Sequence, residues 1–236
     1  MDIWANEKSG RGIGPERVGF DFGVGRGVLP DVDLRVIETF GFDGGRFVRL
    51  AQHLARMAAT CAGLGYPFDP LAVMVHLDAL PDGGALRVRV TVGSSGDVVV
   101  TYAPLVRLVG PWRVALAVER LASGDPWLRV KTTQRGLYDR VRAGLADGMD
   151  EMIFANERDE VCEGTITNVF FECGAGLCTP PLSSGLLPGV LRAEMLAAGQ
   201  CREAVLRVAG LGRVRLWLGN SLRGMNPARL MGSGFE

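Results

Sequence analysis

The chain has 236 residues, 47% of them hydrophobic, so it can bury a full core as one large domain or as two small lobes. Lysine plus arginine equals aspartate plus glutamate, 26 each, so no overall charge favours nucleic acid or a membrane surface as a partner. The 5 cysteines include no C-x-x-C pair and no cysteine–histidine cluster, which predicts free thiols and supports neither a disulfide framework nor a zinc site. No N-terminal segment resembles a signal peptide and no apolar run approaches ~18 residues, so we expect a soluble, cytoplasmic protein.

The first half of the chain, residues 1–118, predicts a small N-terminal α/β lobe. Residues 1–30 are rich in glycine and charge and show little periodicity, so we expect a poorly ordered or loosely attached arm there. Apolar residues three and four apart predict helices, and alternating apolar and polar residues predict strands. The expected elements are a helix from near Arg46 to Leu64, a short helix over about 70–80, and a hairpin of residues 85–92 and 98–102.

The second half, residues 131–236, predicts a larger lobe that is rich in strands. Residues 119–130 have little propensity for regular structure, and we interpret them as a linker between the lobes. The expected elements are a helix over about 133–146 with Leu137, Val141 and Leu145 inward, strands at 151–156, 169–173 and 176–179, a helix at 190–198, and a last strand at 214–218. The fold class is therefore α/β, in an α+β two-lobed arrangement with helices flanking the larger lobe.

Lys131 is the only lysine between Lys8 and the C-terminus, and it comes directly after the apolar residues 127–130. A lysine in a site of low dielectric has a lowered pKa, becomes a better nucleophile and can form an imine with an aldehyde. Taken alone, a surface lysine that snorkels to water is the simpler interpretation. The choice between the two interpretations therefore depends on the residues downstream of Lys131.

Two downstream features complement Lys131. Glu163, expected at a turn between two strands, can face a ring nitrogen and favour its protonated form. Gly189, Val190 and Leu191 open a helix, whose backbone N–H groups and positive end suit a phosphate. An amine, a carboxylate and a helix start are the groups that pyridoxal 5′-phosphate (PLP) requires of a protein. Each feature also has an ordinary alternative, a turn glutamate and a helix cap, and Asn168 either orients the glutamate turn or is an ordinary structural asparagine.

The run from Glu163 to Arg192, with its Thr-Pro-Pro and Leu-Pro-Gly-Val-Leu-Arg segments, resembles the signature of the fold type IV PLP enzymes, the class IV aminotransferase family. The family includes branched-chain aminotransferases, D-amino acid aminotransferases and 4-amino-4-deoxychorismate lyases, and looser similarity extends from about Ile37 to Pro227. The resemblance implies a D-amino acid aminotransferase-like fold, PLP as the cofactor, and Lys131 as the imine-forming lysine.

The same resemblance implies roles for individual residues around the cofactor. It places Glu163 at the ring nitrogen and assigns phosphate contacts to the amides of Val190 and Leu191 and to the side chains of Arg56 and Ser221. Many relatives carry a threonine at the position of Leu191, so one hydroxyl contact is missing here.

Candidate substrate residues come from the first half of the chain. Related aminotransferases bind the substrate carboxylate with an arginine near Arg87, and Arg89 is the second candidate on that strand. The segment that ends at Thr39 stands where the family shapes its substrate pocket, which makes Thr39 a further candidate. His53 and His76 lie in predicted helices without a cysteine or carboxylate arrangement, so neither a metal site nor a Ser/His/Asp triad is supported.

Within the family, the segments around Lys131–Arg135, Thr179–Gly189 and Asn220–Gly224 look most like 4-amino-4-deoxychorismate lyase. Branched-chain aminotransferases tend to carry a tyrosine five residues after the lysine, where this chain has Gly136. The implied reaction is an elimination that releases pyruvate and 4-aminobenzoate for folate synthesis, with Lys131 as general base. The alternatives are a branched-chain or D-amino acid aminotransferase and an inactive PLP-binding homologue. The family also implies a homodimer that acts on small molecules, with no nucleic acid or membrane partner.

Overall fold

The computed structural model describes residues 34–232 except 82, 107–109 and 175, so the arm expected over residues 1–30 lies outside the described residues. The strands are β1 (Val36–Asp43), β2 (Arg46–Phe47), β3 (Leu86–Val92), β4 (Val98–Pro104), β5 (Trp112–Leu121), β6 (Glu151–Asn156), β7 (Val161–Gly164), β8 (Asn168–Glu172), β9 (Leu177–Thr179), β10 (Arg202–Glu203), β11 (Leu216–Asn220) and β12 (Gly224–Leu230). The helices are α1 (Leu50–Leu64), α2 (Pro70–Asp78), α3 (Gly136–Ala143) and α4 (Val190–Ala197). Short 3-10 segments cover Pro126–Arg129, Leu182–Ser184 and Val208–Arg213.

The smaller sheet has the strand order β2-β1-β3-β4 and is antiparallel throughout. The apolar residues of β3 alternate with arginines, so Val88 and Val90 are buried in a core with Phe40 and with Met57 of α1. The polar residues of β3 therefore lie on the face opposite α1. Register places Arg89 beside Thr39 of β1 on that face.

The larger sheet has the strand order β10-β9-β8-β11-β12-β5-β6-β7, and β7 also pairs with β8. Its core contains residues of most of these strands, among them Trp112, Val114, Ile153, Val169 and Leu218. Helix α4 packs beside β11, and α3 packs against β6. None of the described helices is long and apolar enough to cross a membrane.

The mixed α/β fold class is confirmed, and α2, the hairpin of β3 and β4, and β6 lie where the sequence predicts them. Helix α1 begins at Leu50 and not near Arg46, because Arg46 and Phe47 pair with β1 and Arg49 has a left-handed φ of 55°. The inward placement of Leu137 and Val141 is confirmed, since both pack against a buried cluster that contains Leu128 and Phe154, but α3 ends at Ala143 and does not reach Leu145. The helix lies across the surface, so its apolar side chains are half-buried.

The residues expected to form a linker are partly a strand. β5 continues to Leu121 and pairs with β6 and β12 in the larger sheet. The residues from 119 to 121 continue β5, where Arg120 pairs with Ala155 of β6. Ser123, Gly124 and Pro126, just after the strand, are typical of a loop. We propose that the lobes divide between β4 and β5.

The expectation that all cysteines are free thiols is wrong for two of them. Cys173 and Cys178 form a disulfide, while Cys61, Cys162 and Cys201 are free and buried. The pair joins the residue after β8 to the neighbouring strand β9, so the hairpin of these two strands brings together two cysteines without C-x-x-C spacing.

Candidate active site

A cavity of about 360 Å³ lies between the polar face of the smaller sheet and the edge of the larger sheet. Strand β1, helix α1, the segment before α3, the turn from β7 to β8, the start of α4 and the turn from β11 to β12 all contribute to it. Its lining includes these sequence-predicted residues: Thr39, Arg56, Arg87, Arg89, Lys131, Glu163, Asn168, Val190 and Ser221. Leu191 does not contribute to the lining, because its side chain packs in a separate cluster with Phe170 and Met195.

Lys131 is held at the cavity by its backbone. Its carbonyl oxygen accepts a hydrogen bond of 2.8 Å from the N–H of Ile37 in β1, and its neighbour Thr132 forms an isolated bridge to Val36. Burial lowers the pKa of Lys131 to about 8, and the guanidinium groups of Arg56 and Arg135 contribute to the lowering. About a tenth of the amine is therefore neutral at pH 7, far more than for an ordinary lysine, and the neutral amine is the nucleophile.

Glu163 lies inside β7 and pairs with Asn168 of β8, so the ordinary alternative of a turn glutamate is wrong. Its Oε1 accepts a hydrogen bond of 2.7 Å from the Tyr138 hydroxyl, and its Oε2 accepts one of 3.1 Å from the N–H of Leu187. Burial raises the pKa of Glu163 to about 7, although both hydrogen bonds and nearby Lys131 lower it. A buried carboxyl of this kind is stabilised in its ionised form by a cationic partner in the cavity.

Two side chains hold the segment before α4 in place by hydrogen bonds. The Asn168 side-chain amide donates to the Leu187 carbonyl at 3.0 Å, and Arg56 Nη1 donates to the Pro188 carbonyl at 3.0 Å. A Cβ atom at Gly189 would collide with the Asn168 side-chain oxygen, so the close approach requires glycine. The N-terminal amides of α4 thus open towards the cavity beside Arg56, which suits an anion.

Two residues of the site were missed by the sequence analysis. The His53 ring places Nδ1 2.6 Å from Glu38 Oε2 and Nε2 2.8 Å from Ser221 Oγ. The expectation that His53 has no carboxylate partner is therefore wrong, because packing of α1 on β1 brings Glu38 to it across fifteen positions. His53 and Arg56 are three positions apart on one helix face, and this i, i+3 spacing is the sequence signal that could have indicated a shared partner.

Glu38 is also bound by Arg56, whose Nε and Nη2 donate to its two oxygens at 2.7 Å each. Burial raises the pKa of Glu38, but Arg56 and His53 together lower it to about 2. This carboxylate stays ionised, and it holds Arg56 in a fixed bidentate geometry.

One end of the cavity is rich in arginine. The guanidinium-bearing residues of its lining there are Arg87, Arg89, Arg135, Arg142 and Arg223. Burial lowers the pKa of Arg223, and the neighbouring Arg142 and Arg87 lower it further. The Arg223 Nε atom is buried and meets no hydrogen-bond acceptor among the described residues. This end of the cavity carries an excess of positive charge that an anionic ligand would neutralise.

The sequence model of the family described as amino-transferase class IV matches residues 35–231, and the chain belongs to this family. A proposed aminodeoxychorismate lyase from Schizosaccharomyces pombe is 31% identical over 176 residues, which cover 71% of this chain and 75% of the relative. A crystal structure of a proposed amino-acid aminotransferase from Mesorhizobium loti superposes with a TM-score of 0.80 at 42% identity, over 84% of this chain and 100% of that one. The PLP-bound form of a hypothetical aminotransferase from Mycobacterium tuberculosis has a TM-score of 0.69 at 23% identity, over 86% and 83%.

The cofactor of this chain is PLP, and the residues of the cavity fit it. Lys131 offers an amine of lowered pKa, Glu163 a carboxyl that gains from a protonated ring nitrogen, and Arg56 with the start of α4 a cradle for a phosphate. When bound, PLP supplies an aldehyde and a ring that withdraws electrons from the α-carbon of an amine. The chain is thus a class IV PLP enzyme.

Proposed function

We propose that this chain is a PLP-dependent 4-amino-4-deoxychorismate lyase, which releases pyruvate and 4-aminobenzoate. The observation that carries the proposal is the arginine-rich end of the cavity, because the substrate bears one carboxylate on its ring and another on its enolpyruvyl group. A branched-chain amino acid bears one carboxylate and an apolar side chain, which would leave the charges around Arg223 unneutralised. The name of the S. pombe relative supports the same reaction.

Each site residue has one task in the proposed reaction. Lys131, once its amine is free, takes the α-proton of the substrate as general base. Glu163 keeps the ring nitrogen of the cofactor protonated, while Arg56, Ser221 and the amides of Val190 and Leu191 hold the phosphate. The position five residues after Lys131 is Gly136, and the nearby Tyr138 hydroxyl is bound to Glu163 and so supports its orientation.

Substrate binding is assigned to the polar face of the smaller sheet and the turns that face it. Arg87 or Arg89, with Thr39 beside them, binds one carboxylate, and Arg223 with Arg142 binds the other. A guanidinium group binds a carboxylate through two parallel hydrogen bonds, which fixes the direction of the substrate as well as its affinity. The α-carbon is thereby held near Lys131.

The proposal is tested by supplying aminodeoxychorismate to the PLP-loaded protein and measuring pyruvate and 4-aminobenzoate in the absence of any 2-oxo acid. Equal release of both products supports the lyase, and consumption of L-leucine or D-alanine only when a 2-oxo acid is added would show an aminotransferase instead. Borohydride reduction of the loaded protein followed by peptide mapping locates the cofactor, which we expect on Lys131. Lys131→Ala should abolish both the label and the activity while the fold persists.

The substrate subsite is tested by Arg223→Gln, with Arg229→Gln as the matched control, because Arg229 is exposed on the same strand–turn unit and does not line the cavity. We expect Arg223→Gln to raise the KM for aminodeoxychorismate about tenfold or more, as for the loss of a hydrogen bond between charged groups. The control should leave KM unchanged. Equal effects of both substitutions would contradict a specific subsite at Arg223.

Two other functions remain to be separated by the same measurements. The first is an aminotransferase for branched-chain or D-amino acids, and the name of the M. loti relative, an amino-acid aminotransferase, favours that class of reaction. An inactive PLP-binding homologue would give a borohydride label on Lys131 without turnover of any amine. We further propose that the enzyme acts as a cytoplasmic homodimer in folate biosynthesis, and light scattering of the loaded protein tests the dimer.

A further inference from the structure

A chain of hydrogen bonds runs from behind the cavity to its wall. Glu38 on β1 is 1% exposed and does not line the cavity, yet its two oxygens bind both His53 and Arg56 of α1. His53 in turn contacts the Ser221 hydroxyl, and Arg56 in turn contacts the Pro188 carbonyl. One buried carboxylate is therefore linked to both sides of the proposed phosphate cradle.

The placement of hydrogen atoms along these hydrogen bonds decides where the hydroxyl hydrogen of Ser221 points. An ionised carboxylate only accepts hydrogen bonds, so the Nδ1 of His53 carries the hydrogen that faces Glu38. If His53 is neutral, its Nε2 accepts, and the hydroxyl hydrogen of Ser221 must lie on the 2.8 Å contact between them. The serine oxygen then shows only lone pairs to the cavity.

The situation reverses when His53 carries hydrogens on both ring nitrogens. Its Nε2 then donates to Ser221, and the hydroxyl hydrogen of Ser221 is released to point at an anion in the cavity. A phosphate oxygen only accepts hydrogen bonds, so it is attracted in this second arrangement and repelled by the lone pairs in the first.

We propose that Glu38 and His53 are positioning residues that aim the Ser221 hydroxyl at the phosphate of the cofactor, and that phosphate binding is coupled to uptake of one proton by His53. The inference rests on the phosphate subsite of the proposed function and adds a proton to it. His53 contacts the Glu38 carboxylate of β1, which also binds Arg56 of α1, and its backbone N–H donates to the carbonyl of Arg49, whose side chain binds Glu194 of α4. Lys131 lines the same cavity as His53 and Arg56. The contact with the Glu38 carboxylate suits a doubly protonated ring, and a phosphate dianion in the cavity adds a second negative charge to it.

The test compares PLP with pyridoxal, which forms the same bond to Lys131 but has no phosphate. Calorimetric titrations at about pH 7.5 in buffers of different ionisation heat give the number of protons taken up when each ligand binds. The phosphate of PLP is already ionised at this pH, because its second pKa is about 6. The wild-type protein should take up more protons with PLP than with pyridoxal. Equal uptake would overturn the inference.

Three variants assign the proton. His53→Gln, which cannot titrate, and Ser221→Ala, which leaves nothing to orient, should both abolish the difference in uptake between PLP and pyridoxal. His76→Gln, at an exposed position of α2, should keep it. Ser221→Ala should also lower the ratio of PLP to pyridoxal affinity by about tenfold or more, as for a hydrogen bond to a charged group.

The outcomes separate this inference from the proposed function. Unchanged pyridoxal affinity in a variant shows that the variant is folded. If folded His53→Gln or Ser221→Ala still takes up more protons with PLP than with pyridoxal, the coupling is refuted. If the wild-type protein takes up more protons with PLP than with pyridoxal but has no lyase activity, the lyase is refuted and the coupling stands. Failure to bind either PLP or pyridoxal refutes both.

Discussion

Replacing Glu163 by glutamine removes a buried carboxyl whose pKa burial raises from 4.5 to about 7 in the apoprotein. Between these two pH values the folded protein holds a proton on Glu163 that the unfolded chain has lost, so the free energy of unfolding falls as pH rises. The pKa difference corresponds to about 3–4 kcal/mol, at about 1.4 kcal/mol for each pH unit. Glu163→Gln has no such proton to lose, and its stability should lack this component of the pH dependence.

The assay is urea unfolding of the apoprotein at several values between about pH 5 and about pH 7, where Lys131 is still mostly protonated. Only the difference in slope between wild type and variant is interpreted, because the variant also disturbs the hydrogen bonds from Tyr138 and Leu187 at every pH. Saturation with PLP should flatten the wild-type curve, since a protonated ring nitrogen favours the ionised carboxyl. Parallel curves for the two apoproteins would refute the reasoning, because Glu163 would then be ionised throughout.

Three further predictions concern other parts of the site. Burial lowers the pKa of Lys131 to about 8, so its rate of reaction with an aldehyde under reducing conditions should be half-maximal near that pH, and a midpoint near 10.5 would contradict this. Gly189→Ala should destabilise the protein by about 1–3 kcal/mol in denaturant unfolding because its Cβ meets the Asn168 side chain, whereas Gly84→Ala, with nothing within 4 Å of its Cβ, should change stability by less than about 0.5 kcal/mol. Burial raises the pKa of Glu38, but its cationic neighbours lower it to about 2. The stability lost in Glu38→Gln should therefore be largest at neutral pH and shrink as pH falls from 4.5 towards 2. A loss of stability that does not depend on pH would contradict this prediction.

Regular alternation made the bounds of β3 predictable from the sequence, whereas β1 and β12 were missed. β3 alternates buried apolar residues with arginines, and its bounds were predicted almost to the residue. β1 was missed because Val36, Ile37 and Glu38 are all buried, so no period of two is visible. β12 contains Pro227, which argues against a strand, but pairing with β5 begins only at the next residue, Ala228.

The kind of chemistry was readable from the amino-acid sequence, since Lys131, Glu163 and the glycine before α4 are recognisable from short-range spacing and from the character of their neighbours. Which charged groups meet was settled only by the packing of distant elements. Glu38 binds His53 and Arg56 only because α1 packs on β1, and the arginines of β3 face Arg223 only because the two sheets face one another across the cavity. Local spacing carries no information on distances across a fold, whereas charge interactions depend on those distances and on burial.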